Sequence, residues 1–257
     1  VNKTKMLATE AVNRTLKVLK EYKKISDSYN SEKILAFATS AVRDSSNREE
    51  FLELVKRECG IIINCISGIE EGKAAFVGGT SFLDSHYSKV LLVDIGGGST
   101  EFSYGAPKKI PKHVKSFDLG AVRFKEMLEE GTTYQELENH INNELSKIDF
   151  ITSDFELLGV AASITGQIAL YYDEPYDPAK SHNKKLTLDM IRDNFHKLSK
   201  MSVEEIMKLP SINAKRADVI TSGTFLLLKI LEYFNKEYIL TSEIDLLEGH
   251  FILNILN

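Results

Sequence analysis

Hydrophobic and polar positions along this 257-residue chain alternate between helical and strand-like spacing. Leu7, Val12, Leu16 and Leu19 recur at helical intervals within residues 6–24, and Lys33–Ala38 is a short apolar run of strand type. Asp44-Ser45-Ser46-Asn47 offers cap side chains for a helix through Phe51, Leu52 and Val55. Gly60 closes that helix, and Ile61–Ile66 follows as a β-branched strand. Ser67-Gly68-Ile69-Glu70 is a capping-box pattern, predicting a helix that runs towards Phe82. Strand, helix, strand, helix in this order predicts α/β architecture. After a polar break at Asp84-Ser85-His86, strands near Val90, Glu101–Tyr104 and His113–Phe117 predict an antiparallel meander. Helices are expected near 119–130 and 133–147, and Leu157–Val160 reads as a short strand. Asp173-Glu174-Pro175-Tyr176-Asp177-Pro178 reads as a rigid loop. Helices near 188–200, 202–208 and 214–234, a strand at Tyr238–Thr241 and a terminal helix complete the expected order.

Chemistry concentrates in Leu91-Leu92-Val93-Asp94-Ile95-Gly96-Gly97-Gly98-Ser99-Thr100-Glu101-Phe102. Three glycines without Cβ atoms let an anion approach their backbone N–H groups, and successive N–H groups in a turn make a concave anion site. Ser99 and Thr100 add hydroxyls. Asp94 and Glu101 offer hard oxygens of the kind Mg²⁺ takes when it also holds phosphate. No Lys follows the glycines, which excludes a P-loop, and the strand-like sequence after them excludes a dinucleotide fingerprint. A glycine-rich hairpin turn without a ligand is the bland alternative.

Composition narrows the picture. Hydrophobic content of 43% and charged content of 27% are those of a globular protein. No apolar run approaches the ~20 residues of a membrane span, and no signal peptide is evident. A net charge of −5 argues against nucleic-acid binding, although a polyanionic substrate is compatible with it. Seven basic residues (Lys3, Lys5, Arg14, Lys17, Lys20, Lys23, Lys24) against Glu10 and Glu21 read as a solvated helix face. Cys59 and Cys65 read as buried free thiols, and a cytoplasmic location is expected. His182, beside Lys180, Lys184 and Lys185, reads as part of a solvated loop, and Lys215 and Arg216 as surface charge.

Taken together the motifs resemble the exopolyphosphatase and guanosine pentaphosphate phosphatase family. The matching segments are Ala38-Thr39-Ser40-Ala41-Val42-Arg43 with Asn47, Ile66–Gly72, Val93–Glu101, Leu119–Arg123, Pro175–Pro178, Arg216-Ala217-Asp218 and Glu248-Gly249. The resemblance implies a two-domain actin-like (ribonuclease H-like) ATPase fold with an interdomain cleft. The first domain would cover 1–84, joined by the terminal helix 247–257, and the second 85–246. It also implies removal of terminal phosphate from polyphosphate, or of the 5′ γ-phosphate from guanosine pentaphosphate, with Mg²⁺ or Mn²⁺. Homodimers are implied, and neither nucleic acid nor membrane is an expected partner.

By the same resemblance, Glu71 is the general base for the attacking water. From the residues alone it cannot be separated from Glu70, since either carboxylate complements a helix N-terminus. Arg43 matches a phosphate-contacting arginine. Gly96, Gly97, Gly98, Ser99 and Thr100 match a phosphate loop, and Asp94 and Glu101 match metal-associated acids.

The family's first strands and first phosphate loop have no counterpart before Val1 and are expected to be absent from this chain. Ala161-Ala162 stands where a glycine-rich turn is expected, and Leu247 where an arginine is expected. These departures keep two alternatives open: a small-metabolite kinase or ATPase of the same superfamily, and a non-catalytic sensor of polyphosphate or guanosine tetraphosphate.

Overall fold

The computed structural model describes residues 5–84, 86–151 and 154–255. Lys3 of the basic set, Ser85 of the polar break and the last two residues of the expected terminal helix lie outside these. The chain forms two compact units, Val1–Gly68 and Ile69–Asn257. This division falls at the start of a helix, whereas the sequence reading sets its boundary at 84/85.

In the first unit, α1 (Thr9–Ser28) is followed by β1 (Ala36–Ala38), α2 (Ser40–Arg43), α3 (Arg48–Cys59) and β2 (Ile63–Cys65). The two strands pair in parallel, Phe37 opposite Asn64. Phe51, Val55, Cys59 and Ile61 form the core, with Leu7, Val12, Leu16 and Leu19 of the predicted helical stripe packed on it. α1 carries Arg14, Lys17, Lys20, Lys23 and Lys24 of the basic set, of which Lys20 meets Glu58 at 3.1 Å and Lys23 pairs with Asp27.

Asn47 occupies the α3 cap position without capping the helix. Its Oδ1 accepts from the Leu7 N–H at 2.8 Å and its Nδ2 donates to the Leu7 carbonyl at 3.1 Å. A long-range clasp on the approach to α1 has taken the side chain away from the expected cap. Cys59 is buried, whereas Cys65 is only half-buried, and both are free thiols.

The second unit runs α4 (Gly68–Gly79), β3 (Val90–Ile95), β4 (Thr100–Gly105), β5 (His113–Phe117), α5 (Ala121–Glu129), α6 (Tyr134–Leu145), β6 (Glu156–Val160) and α7 (Ala162–Tyr172). It continues with α8 (Pro178–Ser181), β7 (Lys185–Thr187), α9 (Leu188–Leu198), α10 (Val203–Ile206), a 3₁₀ turn at Ala214–Arg216, α11 (Ile220–Tyr233), β8 (Tyr238–Thr241) and α12 (Leu246–Ile255). The six strands lie in the order β5-β4-β3-β6-β8-β7, with the expected antiparallel meander at one end and parallel pairs β3–β6 and β6–β8 in the middle. The 214–234 helix of the sequence reading is broken in two: Asn213 caps a separate 3₁₀ turn before α11 begins.

Strand parity divides the core, because successive side chains point to opposite faces. Leu91, Val93, Ile95, Phe102 and Tyr104 join the large cluster that includes Phe124 of α5, Leu137 and Ile141 of α6 and the apolar α11. Val90 and Leu92 pack instead with Ala75 and Phe76 of α4. Asp94 shares the parity of Val90 and Leu92, and so belongs to the α4 face.

Glycine sets how closely α4 and α12 approach each other. A Cβ on Gly249 would lie 1.8 Å from the Ala74 carbonyl oxygen, and one on Gly78 2.1 Å from the Asp245 carbonyl oxygen. Both neighbours are backbone, so neither can rotate aside. Gly249→Ala is therefore expected to destabilise the protein by about 1–3 kcal/mol or more through overpacking, read as a lower urea midpoint. An unchanged midpoint would show that the helices can separate freely.

Candidate active site

The glycine loop links β3 to β4, with Asp94 directly opposite Glu101 and Ile95 opposite Thr100. Its carbonyls point at the start of α5: the Ala121 N–H donates to Gly96 O at 3.1 Å, and the Val122 and Arg123 N–H groups donate to Gly97 O at 2.9 and 3.2 Å. These are donors that a helix N-terminus leaves without intrahelical partners. Arg123 Nε donates to Gly98 O at 3.0 Å, and its Nη2 meets Asp118 Oδ1 at 3.0 Å. The approach is close enough that a Cβ on Gly120 would lie 2.3 Å from Gly97 O.

With the carbonyls so engaged and the Gly96 N–H donating to Ser99 O at 3.0 Å, the N–H groups of Gly97, Gly98 and Ser99 make no hydrogen bond among the described residues. Three successive unengaged donors form the kind of concavity that takes an anion. Ser99 is buried at 5% exposure. Thr100 serves the fold instead. Its fully buried hydroxyl donates to Leu119 O at 2.6 Å and ties the hairpin to the β5–α5 connection.

The α4 face of the sheet gathers carboxylates beside this loop. Glu101 is 1% exposed and its Oε1 accepts from Ser116 Oγ at 2.7 Å. Glu71, in the first turn of α4, is also buried. Gly72 lets this turn sit on β4, where Ser103 Oγ donates to Gly72 O at 2.9 Å. Burial, followed by the charges of Glu101, Glu71 and Asp245, holds the Asp94 carboxyl well above the usual range.

Asp245 carries no role in the sequence reading. It is placed by its function at the start of α12, where its Oδ1 accepts the Leu247 N–H at 3.1 Å and its own N–H donates to Glu248 Oε2 at 3.1 Å. Burial raises its pKa too, ahead of an opposing backbone hydrogen bond from Leu247. The spacing Asp245-Leu246-Leu247-Glu248 is itself a capping-box pattern, the one signal that could have singled it out. Leu247 is 71% exposed on the same turn.

Among the described residues no group of three or more His, Cys, Asp or Glu is arranged to hold a metal ion. The set still suits Mg²⁺, which commonly takes one or two carboxylates and completes its shell with water and substrate phosphate.

Arg43 lies in the first unit, at the end of α2. Its Nη1 donates to Ile66 O at 2.9 Å, and its Nε lies 3.6 Å from Asp44 Oδ1. His182 is half-buried, with Nδ1 accepting the Glu243 N–H at 3.2 Å and its ring edge against Phe82, in place of the expected solvated position. Arg216 is likewise drawn inwards, with Nη2 3.5 Å from Ser163 Oγ. It lines a cavity of about 200 Å³ with Tyr176, Ser211 and Asn213.

The profile of the Ppx/GppA phosphatase family matches residues 1–257. The chain belongs to this family. It is 40% identical over 271 residues to a bifunctional 3-dehydroquinate synthase/phosphatase of Fusobacterium nucleatum, an alignment covering 100% of this chain and 40% of that protein. The chain thus spans less than half of that relative's length. It is 27% identical to an exopolyphosphatase 2 of Mycobacterium tuberculosis over 97% of this chain and 83% of that protein. The crystal structure of the Aquifex aeolicus Ppx/GppA family member superposes with a TM-score of 0.83 at 35% identity, covering 100% of this chain and 85% of that one.

Two outcomes follow from the geometry. Gly120→Ala should lower the melting temperature and weaken inorganic-phosphate binding, because the new methyl must push Gly97 away from α5; normal phosphate titration would remove the loop from the proposed cradle. For Asp94, a native pKa above the unfolded value means that the folded state binds more protons, so stability falls as pH rises from the ordinary carboxylate range through the raised native pKa. In chelator, Asp94→Asn should therefore melt higher than the parent at pH 8, with the gain shrinking towards zero near about pH 4. A lower melting temperature for the variant at pH 8 would contradict this.

Proposed function

We propose that the chain carries the catalytic centre of a metal-dependent phosphoanhydride hydrolase that releases terminal phosphate from inorganic polyphosphate or the 5′ γ-phosphate from guanosine pentaphosphate. The observation that carries the reading is the juxtaposition, across one β-hairpin, of three unengaged loop N–H groups and a buried carboxylate face. Membership of a phosphatase family and similarity to an exopolyphosphatase support it.

In this reading the N–H groups of Gly97, Gly98 and Ser99 hold the oxygens of the phosphate that leaves, fixed in place by Arg123 and α5. Phosphoryl transfer depends mainly on positioning and charge stabilisation, and prearranged N–H donors supply both without reorganising. Asp94 and Glu101 would hold Mg²⁺ or Mn²⁺, which when bound neutralises charge on the phosphate oxygens. Glu71 takes a proton from the attacking water. A general base needs to lie within reach of that water, and Glu71 sits buried in the first turn of α4 on the carboxylate face. The proposal also keeps Arg43 as a contact to substrate phosphate, through its planar guanidinium fork.

Phosphate release should be measured in the full chain from long-chain polyphosphate and from guanosine pentaphosphate, with Mg²⁺ and with chelator. Release should vanish in chelator and fall by about 10²–10⁴-fold in Glu71→Gln, the range for loss of a general base, with substrate binding retained. Full activity of Glu71→Gln would overturn the assignment, and the better substrate would decide between the two phosphoanhydrides.

A further inference from the structure

A second cavity, of about 480 Å³, opens at the β7 edge of the sheet. β7 is the outermost strand at the end opposite β5, with β8 and β6 between it and β3. The cavity therefore shares no strand with the glycine loop. Its volume falls in the range of sites for small organic ligands.

Its walls are of two kinds. Ile168 and Ala169 of α7, both 7% exposed, form an apolar floor with Met190 of α9, and the ring of Tyr172 stands beside them. Lys180, Lys184 and Lys185 bring positive charge to the rim. Lys180 is satisfied by Glu174 at 2.6 Å, and the Lys185 amine sits 4.0 Å above the Tyr238 ring. Asp177 is used at the start of α8, where it accepts the Ala179 N–H at 3.0 Å. Lys184 Nζ has no ion-pair partner among the described residues, and the buried hydroxyl of Ser181, which also lines the cavity, has no hydrogen-bond partner there.

The lysine-bearing wall is built in advance. Thr241, at the end of β8, donates its hydroxyl to the Ser181 carbonyl and accepts the Lys184 N–H at 3.2 Å. Asn183 sits between them at φ +54°, with its N–H on Thr241 O at 2.8 Å. The backbone that carries Lys184 is thus fixed at the mouth of an apolar recess before any ligand arrives, so binding has only the exposed side chain left to order.

We propose that this cavity binds a small organic anion, a phosphate or carboxylate head on an apolar body. The body rests on Ile168, Ala169 and Met190, and the head meets Lys184. Neither half of the site is sufficient alone: a bare anion leaves the floor wet, and a neutral apolar molecule leaves Lys184 without a counter-charge.

The test uses the full chain with its methionine methyl groups labelled with ¹³C, so that Met190 reports locally and the glycine loop does not contribute to the readout. Phenyl phosphate and phenylacetate are titrated in parallel with inorganic phosphate. One or both aromatic anions should shift the Met190 methyl saturably, inorganic phosphate should leave it in place, and the tighter of the two identifies the head group. Lys184→Gln, a change at an exposed side chain, should weaken that binding about tenfold, the loss of one charge-assisted hydrogen bond. Ala169→Leu should abolish it by filling the floor, with the melting temperature as a check on folding. The proposal fails if the Met190 methyl does not move with either aromatic anion at about 10 mM, a concentration above any affinity worth the name of a site. It also fails if Lys184→Gln binds as tightly as the parent.

Discussion

The contact on which the site depends is between two pieces of backbone: the carbonyls of Gly96 and Gly97 against the first N–H groups of α5. A helix start needs acceptors, and most helices take them from a cap side chain. Gly120, at the α5 cap position, has no side chain to offer, and the loop carbonyls serve instead. That arrangement orients the peptide groups. With their oxygens turned towards α5, the N–H groups of Gly97, Gly98 and Ser99 are left without protein acceptors. Helix capping and anion readiness are thus two sides of one hydrogen-bond pattern, and both fail if Gly97 cannot approach Gly120 closely.

The same hairpin sets the acidic face. Its register puts Asp94 opposite Glu101, and its parity sends both to the side covered by α4 rather than into the aliphatic core. Buried carboxylates near one another disfavour ionisation, which is why Asp94 is held so far above its ordinary range. Without a bound cation this arrangement opposes folding at neutral pH. Loop donors and acidic face are complementary: one lacks negative charge and the other has an excess of it. A phosphate accompanied by a divalent cation would satisfy both together.

Much of this is legible in the sequence, for identifiable reasons. The meander, the glycine loop and the Asp94–Glu101 pair sit in a strongly periodic segment where spacing decides register. The segment Leu119–Arg123 is visible as a motif, yet its purpose is not, since the Gly120 approach and the Arg123 clamp arise only when the hairpin folds back on it. Thr100 looks like a ligand hydroxyl because it stands beside glycines; burial under Leu119 gives it an internal partner. The helix α7 leaves no trace in the pattern. Residues 163–170 are buried on every side, so no polar face marks a helical period. Asn47, His182 and Arg216 depart from expectation for a common reason: each makes its decisive contact with a residue remote in sequence, which no local pattern encodes.

Ala161 shows how far a departure from expectation can be given a physical meaning. Ala161-Ala162 stands where a glycine-rich turn is expected, with methyl groups in place of glycine hydrogens. In the structure Ala161 has φ +69° and ψ 155°, a backbone region that is nearly exclusive to glycine and costs other residues about 1–3 kcal/mol. The backbone has therefore kept the shape that glycine would favour, even with a Cβ present. The strain is borne between β6 and α7, where a Cβ on Gly159 would lie 2.7 Å from the Ile164 side chain and the Ala161 carbonyl accepts the Ile164 and Thr165 N–H groups at 2.9 and 3.0 Å. A residue with this chemistry would relax if the turn were free to move. Its persistence means that the junction of β6 and α7 is fixed by the packing around it, and that the shape of this turn outweighs the preference of the residue that occupies it.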